Sequence, residues 1–263
     1  MALDLVLLVV GNLALMLAVF AALWALSVRL KDASIVDIAW GPACALPAAL
    51  TYFRADGADP RAAVLTSLVS LWALRLALHL ARRNLGRGED YRYQAMRRKQ
   101  GSDAAFARWS LVHVYGLQGV IAWFVSLPAQ VGQIGGAGAL GLLGWVGAAA
   151  FGVGFFFEAV GDHQLTEFKK DPANKGRLMT RGLWAWTRHP NYFGDALVWT
   201  GLTLIALESS WGWATIFSPM LMLHFLHNVS GKALLERGLE KKYAEYAEYR
   251  RKTSGFFPRP PRG

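Results

Sequence analysis

The sequence has little charge and almost no cysteine. Only 17% of its 263 residues are charged, whereas 54% are hydrophobic, and an ordinary soluble domain has roughly a quarter charged residues. The single cysteine, Cys44, gives neither a disulfide within the chain nor a cysteine metal cluster, so cysteine usage leaves the redox compartment open. The excess of apolar residues indicates an integral membrane protein, and no metal site is predicted.

Several motifs of soluble enzymes are also missing. The chain has no Gly-x-Gly-x-x-Gly, no phosphate-binding loop and no His-Glu-x-x-His. If a nucleotide binds, it is therefore not held by a soluble Rossmann domain. No Gly, Ser or Pro linker divides the sequence and no internal repeat is visible, so we expect a single membrane domain over residues 1–263.

Long apolar runs dominate what is present. Their lengths cluster near the roughly 20 residues that cross the hydrocarbon core of a bilayer. The first run lacks a basic start and is too long for a signal peptide, so it is interpreted as a retained helix. The sequence predicts an all-α bundle of seven transmembrane helices and a C-terminal amphipathic helix at 231–253. The predicted spans are 5–28, 35–52, 62–80, 111–131, 137–157, 190–207 and 211–227.

Lysine and arginine are concentrated in the connections that follow the odd-numbered spans and in the tail. Because cytoplasmic loops carry the excess of positive charge, the amino terminus is predicted to lie outside and the carboxyl terminus in the cytoplasm. This topology explains much of the net charge of +10 and is favoured over nucleic-acid binding.

A basic and aromatic segment at 183–195 leads into the sixth predicted span. Pro190 suits the first turn of a helix, so a helix should begin there. The unpaired N–H groups of its first turn, together with Arg188 and His189, predict an anion site at that end. We expect phosphate or pyrophosphate to bind there.

Two further polar features lie at the ends of apolar runs. Glu158, Asp162 and Thr166 recur every four residues, which predicts a polar stripe on one face of the fifth helix. Asp37, near the start of the second span, is either a functional carboxylate or an interfacial carboxylate that the helix dipole favours. Trp40 is likewise either a site residue or an interfacial anchor. The mixed charges and tyrosines of 82–99 favour an ordered surface helix or clamp, and the alternative is a plain basic loop that faces lipid.

The motif Arg188-His189-Pro190-Asn191-Tyr192, followed by Gly194-Asp195 and preceded by Gly182-Leu183-Trp184, resembles the carboxyl-terminal membrane domain of the steroid 5α-reductase family. Segments elsewhere look like the bacterial branch of that family, so the similarity spans nearly the whole chain. They are Asp37-Ile-Ala-Trp40-Gly, Trp72-Ala-Leu-Arg75-Leu, Glu89-Asp90-Tyr91-Arg92-Tyr93 and the tail from Tyr246 to Pro258.

The resemblance implies a monomeric enzyme of the bacterial inner membrane that takes NADPH from the cytoplasmic side. It would reduce the carbon–carbon double bond of a 4-en-3-oxo steroid or a similar lipophilic enone. Animal members polarise the ketone with a glutamate and a tyrosine; near those positions this chain has Cys44 or Asp37, and Trp72. The implied catalytic residues are Asp37, Trp40 and Trp72. The implied cofactor-binding residues are Arg87, Glu158, Asp162, Lys169, Arg177, Arg181, Arg188, His189, Asn191, Tyr192, Asp195 and Tyr246.

Two other functions are compatible with the sequence. Membrane methyltransferases of the isoprenylcysteine and phospholipid type share a related Arg-His-Pro-x-Tyr segment and use S-adenosylmethionine. A lipid-binding or transport protein without chemistry would explain the helices but not the polar stripes. The surplus of Arg and Lys suits a pyrophosphate and the extra 2′-phosphate of NADPH better than it suits a cationic sulfonium, which favours the reductase.

Overall fold

A computed structural model describes residues 2–54, 59–135, 138–229 and 232–261. Over these ranges the chain is helical and has no strand, apart from an isolated bridge between Thr187 and Ser254. The all-α prediction is confirmed. The helices are α1 Ala2–Leu30, α2 Ile35–Arg54, α3 Pro60–Asn84, α4 Tyr91–Gln100, α5 Asp103–Ser110, α6 Leu117–Val125, α7 Leu127–Val131, α8 Leu142–Lys170, α9 Leu183–Trp186, α10 Pro190–Ala206, α11 Phe217–His224, α12 Lys232–Lys242 and α13 Tyr246–Lys252.

Four helices in the described part of the chain are long and apolar enough to cross a membrane: Asp4–Leu30, Ile35–Arg54, Pro60–Asn84 and Leu142–Lys170. The predicted spans 111–131 and 211–227 are interrupted. The first contains a π-helical turn at Leu111–Gly116 and a break at Ser126, because Pro128 lies in the first turn of a new helix. The second combines a 3₁₀ turn with α11 and another π-helical turn.

Other boundaries differ from the predictions in informative ways. Helix α10 begins at Pro190, as expected for proline in a first turn. Helix α8 begins at Leu142 rather than 137 and continues to Lys170, in agreement with the predicted extension of the fifth span. The tail is two helices, separated at 243–245, instead of one, because the backbone turns where the Tyr246 N–H bonds to the Tyr243 carbonyl. The first residue of the predicted fifth span, 137, and the first residue of the predicted tail helix, Gly231, lie outside the described residues.

The chain forms two compact units. The first comprises Met1–Gly141 and Ile205–Thr215, and the second Leu142–Leu204 and Ile216–Gly263. The single membrane domain expected from the sequence stays a prediction.

Close packing and a buried polar network stabilise the first unit. A Cβ added to Gly41 of α2 would lie 2.9 Å from the Ala73 carbonyl oxygen of α3. The buried Asn12 amide donates to the Thr51 hydroxyl at 3.3 Å and to Gln130 Oε1 at 2.9 Å. Such hydrogen bonds between helices help to hold membrane bundles together, because apolar side chains are buried equally well by lipid and by a neighbouring helix.

Glycines bring α8 and α10 into backbone contact within the second unit. A Cβ added to Gly154 would lie 2.6 Å from the Gly194 carbonyl oxygen, and one added to Gly201 would lie 2.5 Å from the Gly147 carbonyl oxygen. These pairs run in opposite directions along the two helices, so α8 and α10 are antiparallel. The same alignment sets Gly161 against Pro190 and brings the polar end of α8 to the start of α10.

Candidate functional site

The polar stripe of α8 meets the first turn of α10. Asn191 Nδ2 donates a hydrogen bond of 3.0 Å to Asp162 Oδ1, and the Tyr192 N–H donates to Asn191 Oδ1 at 3.1 Å. Glu158 and Asp162 are buried, at 4% and 8% exposure. Glu158 lies one turn deeper, where a Cβ on Gly194 would be 2.9 Å from its own Cβ. The structure therefore brings together Glu158, Asp162 and Asn191, three of the cofactor-binding residues that the resemblance implies, with the partly exposed Asp195 one turn further along α10.

Arg188 and His189 lie in a buried charge cluster with Glu236 of α12. Arg188 Nε and His189 Nε2 each lie 3.0 Å from Glu236 Oε1. A second Arg188 nitrogen donates to the carbonyls of Thr253 and Arg250 at 2.7 and 3.2 Å. The sequence predicts that Arg188 and His189 offer their charge to an anion; the structure instead balances that charge internally. Glu236 was missed because nothing in the tail sequence indicates its partner.

The chemistry of this cluster follows from its hydrogen bonds. Burial opposes ionisation of Glu236, but the hydrogen bonds from His189 and Arg188 hold its pKa at about 2. The buried Tyr246, an implied cofactor residue, adjoins the same charges, and burial together with Glu236 raises its pKa to about 12. Tyr192, another implied cofactor residue, stacks on His189 with ring centroids 5.4 Å apart. These residues therefore fix the start of α10 to the tail.

The loop after α8 is fixed to that helix and carries exposed cations. Asn174 Nδ2 donates to the Phe168 carbonyl, the Leu183 N–H to Gln164 Oε1 and Trp184 Nε1 to the Gly161 carbonyl, each at 3.0 Å. The predicted cofactor residues Lys169, Arg177 and Arg181 are exposed around this loop, and the Arg181 guanidinium lies 5.7 Å from the centre of the Phe168 ring. This anchored loop offers positive charge beside the C-terminal end of α8.

Arg87, the remaining predicted cofactor residue, belongs to the first unit. It is exposed in the turn that follows α3, where its N–H bonds to the Asn84 carbonyl at 3.2 Å. The Asp162–Asn191 cluster belongs to the second unit, so the cofactor contact of Arg87 stays a prediction.

The predicted catalytic carboxylate, Asp37, is engaged by α4. Arg92 donates to Asp37 Oδ2 at 2.5 Å, and the Tyr93 hydroxyl donates to Asp37 Oδ1 at 2.8 Å. Helix α4 is itself anchored, because Arg97 binds both carboxylate oxygens of Glu89, at 3.0 and 2.8 Å. Asp37 thus accepts hydrogen bonds from two side chains of α4. The sequence prediction of an ordered helix in 82–99 is confirmed, but it did not identify Arg92 and Tyr93 as partners of Asp37.

Aromatic residues surround this part of the first unit. The rings of Trp40 and Trp72 meet edge to face with centroids 6.0 Å apart, and Trp72 is fully buried. Burial and the neighbouring Asp37 raise the pKa of Tyr93 far above its usual range, so its phenol is neutral. Gln118 Nε2 lies 3.4 Å from the same hydroxyl. Among Trp40, Trp72, Gln118 and Tyr93, only the Tyr93 side chain has a hydroxyl group that can donate an O–H hydrogen bond.

Comparison with known proteins gives two relatives. An uncharacterised protein of Schizosaccharomyces pombe is 28% identical over 267 residues, which covers 90% of this chain and 76% of the relative. A probable O-methyltransferase of Ustilaginoidea virens is 34% identical over 88 residues, which covers 34% of this chain and 29% of the relative. No solved structure matches the chain at a significant level.

A family profile covers most of the sequence, from residue 23 to residue 253. It is not a steroid 5α-reductase profile, so that resemblance stays a prediction carried by the motifs. The matched family is described as proteins of unknown function. On the extent of this match, the chain belongs to the DUF1295 family.

Proposed function

We propose that the protein is a multi-pass membrane oxidoreductase that uses NADPH to reduce the carbon–carbon double bond of a lipophilic enone, such as a 4-en-3-oxo steroid. The observation that carries the proposal is the buried Asp162–Asn191 pair beside Glu158, at the antiparallel contact of α8 and α10. Carboxylates and an amide suit the hydroxyl and carboxamide groups of a dinucleotide. The exposed Lys169, Arg177 and Arg181 suit its phosphates.

The hydrogen-bonding groups and the charges of these residues therefore fit those of NADPH. When bound, NADPH would supply the hydride for the β-carbon of the enone, and the resulting enolate would take a proton from solvent at its α-carbon as the product leaves. The chain must then stabilise negative charge on the carbonyl oxygen and exclude water. A membrane bundle provides an apolar route by which a lipid-like substrate can enter.

The geometry revises the proposed role of Asp37. An ionised carboxylate that accepts from Arg92 and Tyr93 has no proton to give. The neutral Tyr93 phenol does, and we assign it as the hydrogen-bond donor to the substrate oxygen. Asp37 and Arg92 position it, and Trp40 and Trp72 provide apolar surface. Substrate binding would redirect the Tyr93 proton from Asp37 to the carbonyl.

The proposal retains the topology predicted from the charge pattern. In this proposal the protein has seven spans, an external amino terminus and a cofactor site on the cytoplasmic side of the bacterial inner membrane. Helix α10 and the interrupted helices around α6 and α11 would supply the spans beyond the four long helices. Outward apolar residues on α11, including Phe217 and Met220 at 59% exposure each, support contact of this helix with lipid.

Removing either member of the Asp162–Asn191 pair should weaken NADPH binding. Loss of one good hydrogen-bonding group costs about 1.4 kcal/mol or more, which is roughly tenfold in Kd. Titration of detergent-purified Asp162→Ala and Asn191→Ala by NADPH fluorescence measures this. Glu167→Ala is the control, since Glu167 is an exposed acid on the same helix, paired with Lys170 at 2.7 Å. Unchanged NADPH affinity in both the Asp162 and the Asn191 variants would exclude these residues from a cofactor site.

Replacing Tyr93 with phenylalanine should lower kcat while leaving NADPH affinity intact. A positioned hydrogen-bond donor to a developing oxyanion contributes roughly 10²- to 10³-fold, and we expect a loss in that range in steroid-dependent NADPH oxidation. Asp37→Asn should reduce kcat less, because Tyr93 keeps its proton. Tyr91→Phe is the matched control, since Tyr91 lies on the same helix at 69% exposure. A fully active Tyr93→Phe enzyme would remove Tyr93 from the mechanism.

A methyltransferase that uses S-adenosylmethionine is the second candidate. It is favoured by the similarity to the probable O-methyltransferase of Ustilaginoidea virens and by the buried carboxylates Glu158 and Asp162, which suit a cationic ligand. Side-by-side titration with NADPH and S-adenosylmethionine separates the two. Binding of S-adenosylmethionine alone would replace the reductase by the methyltransferase, and binding of neither would favour a lipid-binding protein.

A further inference from the structure

The C-terminal tail forms a basic pocket of about 240 Å³ within the second unit. Five cationic side chains line it, together with Ser254. They are Arg188, Arg250, Arg251, Lys252 and Arg259. The exposed cations assigned to the cofactor phosphates, Lys169, Arg177 and Arg181, are not among them.

Hydrogen bonds fix the frame of the pocket. The Arg188 N–H donates to the Ser254 carbonyl at 2.9 Å, and the Arg259 N–H donates to the Trp186 carbonyl at 3.0 Å. Between them, the Thr187 hydroxyl donates to the Phe256 carbonyl at 2.8 Å. The segment after α13 is therefore tied along residues 186–188, which distinguishes the pocket from a loose basic tail.

The positive charge is only partly balanced. Glu236 offsets Arg188, Glu240 offsets Arg250 at 2.5 Å and Glu248 offsets Lys252 at 3.0 Å. The side chains of Arg251 and Arg259 make no ion pair with another described residue, and Glu248 acts on Arg251 only at longer range.

The C-terminal dipole of α13 favours the cations of its last turn. Arg259 lies seven residues beyond the helix end, where the dipole has no effect. Arg251 and Arg259 thus line one pocket, and none of the residues lining it is acidic. This arrangement suits an oxyanion of the phosphate type.

Exposed aromatic side chains flank the pocket. Phe257 and Trp186 are 64% and 47% exposed. Phe257 lies in the segment after α13, and Trp186 lies in the segment 186–188 to which it is tied. Aromatic residues beside cationic ones are typical of a lipid headgroup region. We propose that the tail pocket binds the phosphate group of an anionic phospholipid headgroup. This site does not depend on the proposed reductase activity.

The test is a titration of the full-length protein in neutral detergent with dihexanoyl phosphatidylglycerol, dihexanoyl phosphatidylcholine and inorganic pyrophosphate. We expect phosphatidylglycerol to bind at least tenfold more tightly than phosphatidylcholine. The double variant Arg251→Gln/Arg259→Gln should lose at least tenfold of that affinity. The control Arg98→Gln/Lys99→Gln removes the same charge from exposed positions of α4 and should bind as the wild type does.

Equal affinity of the double variant and the wild type for phosphatidylglycerol would overturn the proposal, as would an equal loss in the control. If pyrophosphate binds with the same dependence on Arg251 and Arg259 while phosphatidylglycerol does not, the site takes a soluble phosphate and the lipid is excluded. Should the double variant aggregate, the exposed single substitution Arg251→Gln provides the same comparison.

Discussion

Gly154→Leu should leave little folded protein, whereas Gly152→Leu, two residues away on the same helix, should behave as the wild type. A Cβ at 154 would lie 2.6 Å from the Gly194 carbonyl oxygen and 2.7 Å from the Val198 nitrogen. Both are backbone atoms of α10 and cannot rotate away. Overpacking of ordinary cores costs about 1–3 kcal/mol, and we expect Gly154→Leu to exceed that range because the helices must separate.

The matched control isolates the helix contact. A Cβ at Gly152 meets no atom within 4 Å, and this position is exposed. Both substitutions add the same side chain to the same helix, so helix propensity and hydrophobicity are equal. Thermal unfolding in detergent, followed by size-exclusion chromatography, measures the difference. Equal melting temperatures for the two variants would show that α8 and α10 are not in backbone contact.

Glu236→Ala is expected to have the second largest effect. It removes the only acid that contacts both Arg188 and His189 in the described part of the chain, and those side chains are 8% and 4% exposed. Removing one partner of a buried ion pair costs about 3–5 kcal/mol, since the remaining charge stays buried and unbalanced. Chemical unfolding in detergent should show this loss.

The comparison variant is Glu248→Ala, which breaks an exposed pair with Lys252 four residues away in the tail. Exposed pairs contribute about 0.2–1 kcal/mol, so this variant should remain close to the wild type. Similar losses in the two variants would mean that Glu236 has no special role.

The pH dependence of this cluster has a defined sign. The pKa of Glu236 falls from 4.5 to about 2 on folding, so the folded state favours the ionised form. The contribution is complete above pH 4.5 and disappears as the pH falls towards about 2. The stability advantage of the wild type over Glu236→Gln should therefore shrink across that interval. An advantage that stays constant down to pH 2 would contradict the assigned pKa.

Local chemistry in the sequence was enough to predict some of these features. Pro190 begins α10 because proline, which has no N–H, is favoured in the first turn of a helix, and the four-residue spacing of Glu158 and Asp162 sets both on one face of α8. Each signal lies within a single helix, where periodicity determines which residues are neighbours.

Long-range partners could not be predicted in this way. Asp37 and Arg92 are 55 residues apart and Arg188 and Glu236 are 48 apart, and no pattern in the sequence joins them. The interrupted span at 111–131 was missed because average hydropathy does not register a π-helical turn or the break before Pro128. Pairing and backbone irregularity depend on tertiary packing, which composition does not encode.

The hydrogen bond between Asn12 and Gln130 has a consequence for biosynthesis. The ribosome makes Asn12 long before Gln130, since 118 residues separate them, and chains are synthesised from the amino terminus. Helix α1 therefore enters the bilayer before either partner of its side-chain amide exists, since Thr51 follows 39 residues later and Gln130 follows 118 residues later. Because an unpaired amide in hydrocarbon is costly, we expect the newly inserted helix to stay beside the insertion machinery, or a chaperone, until first α2 and then α7 supply these partners.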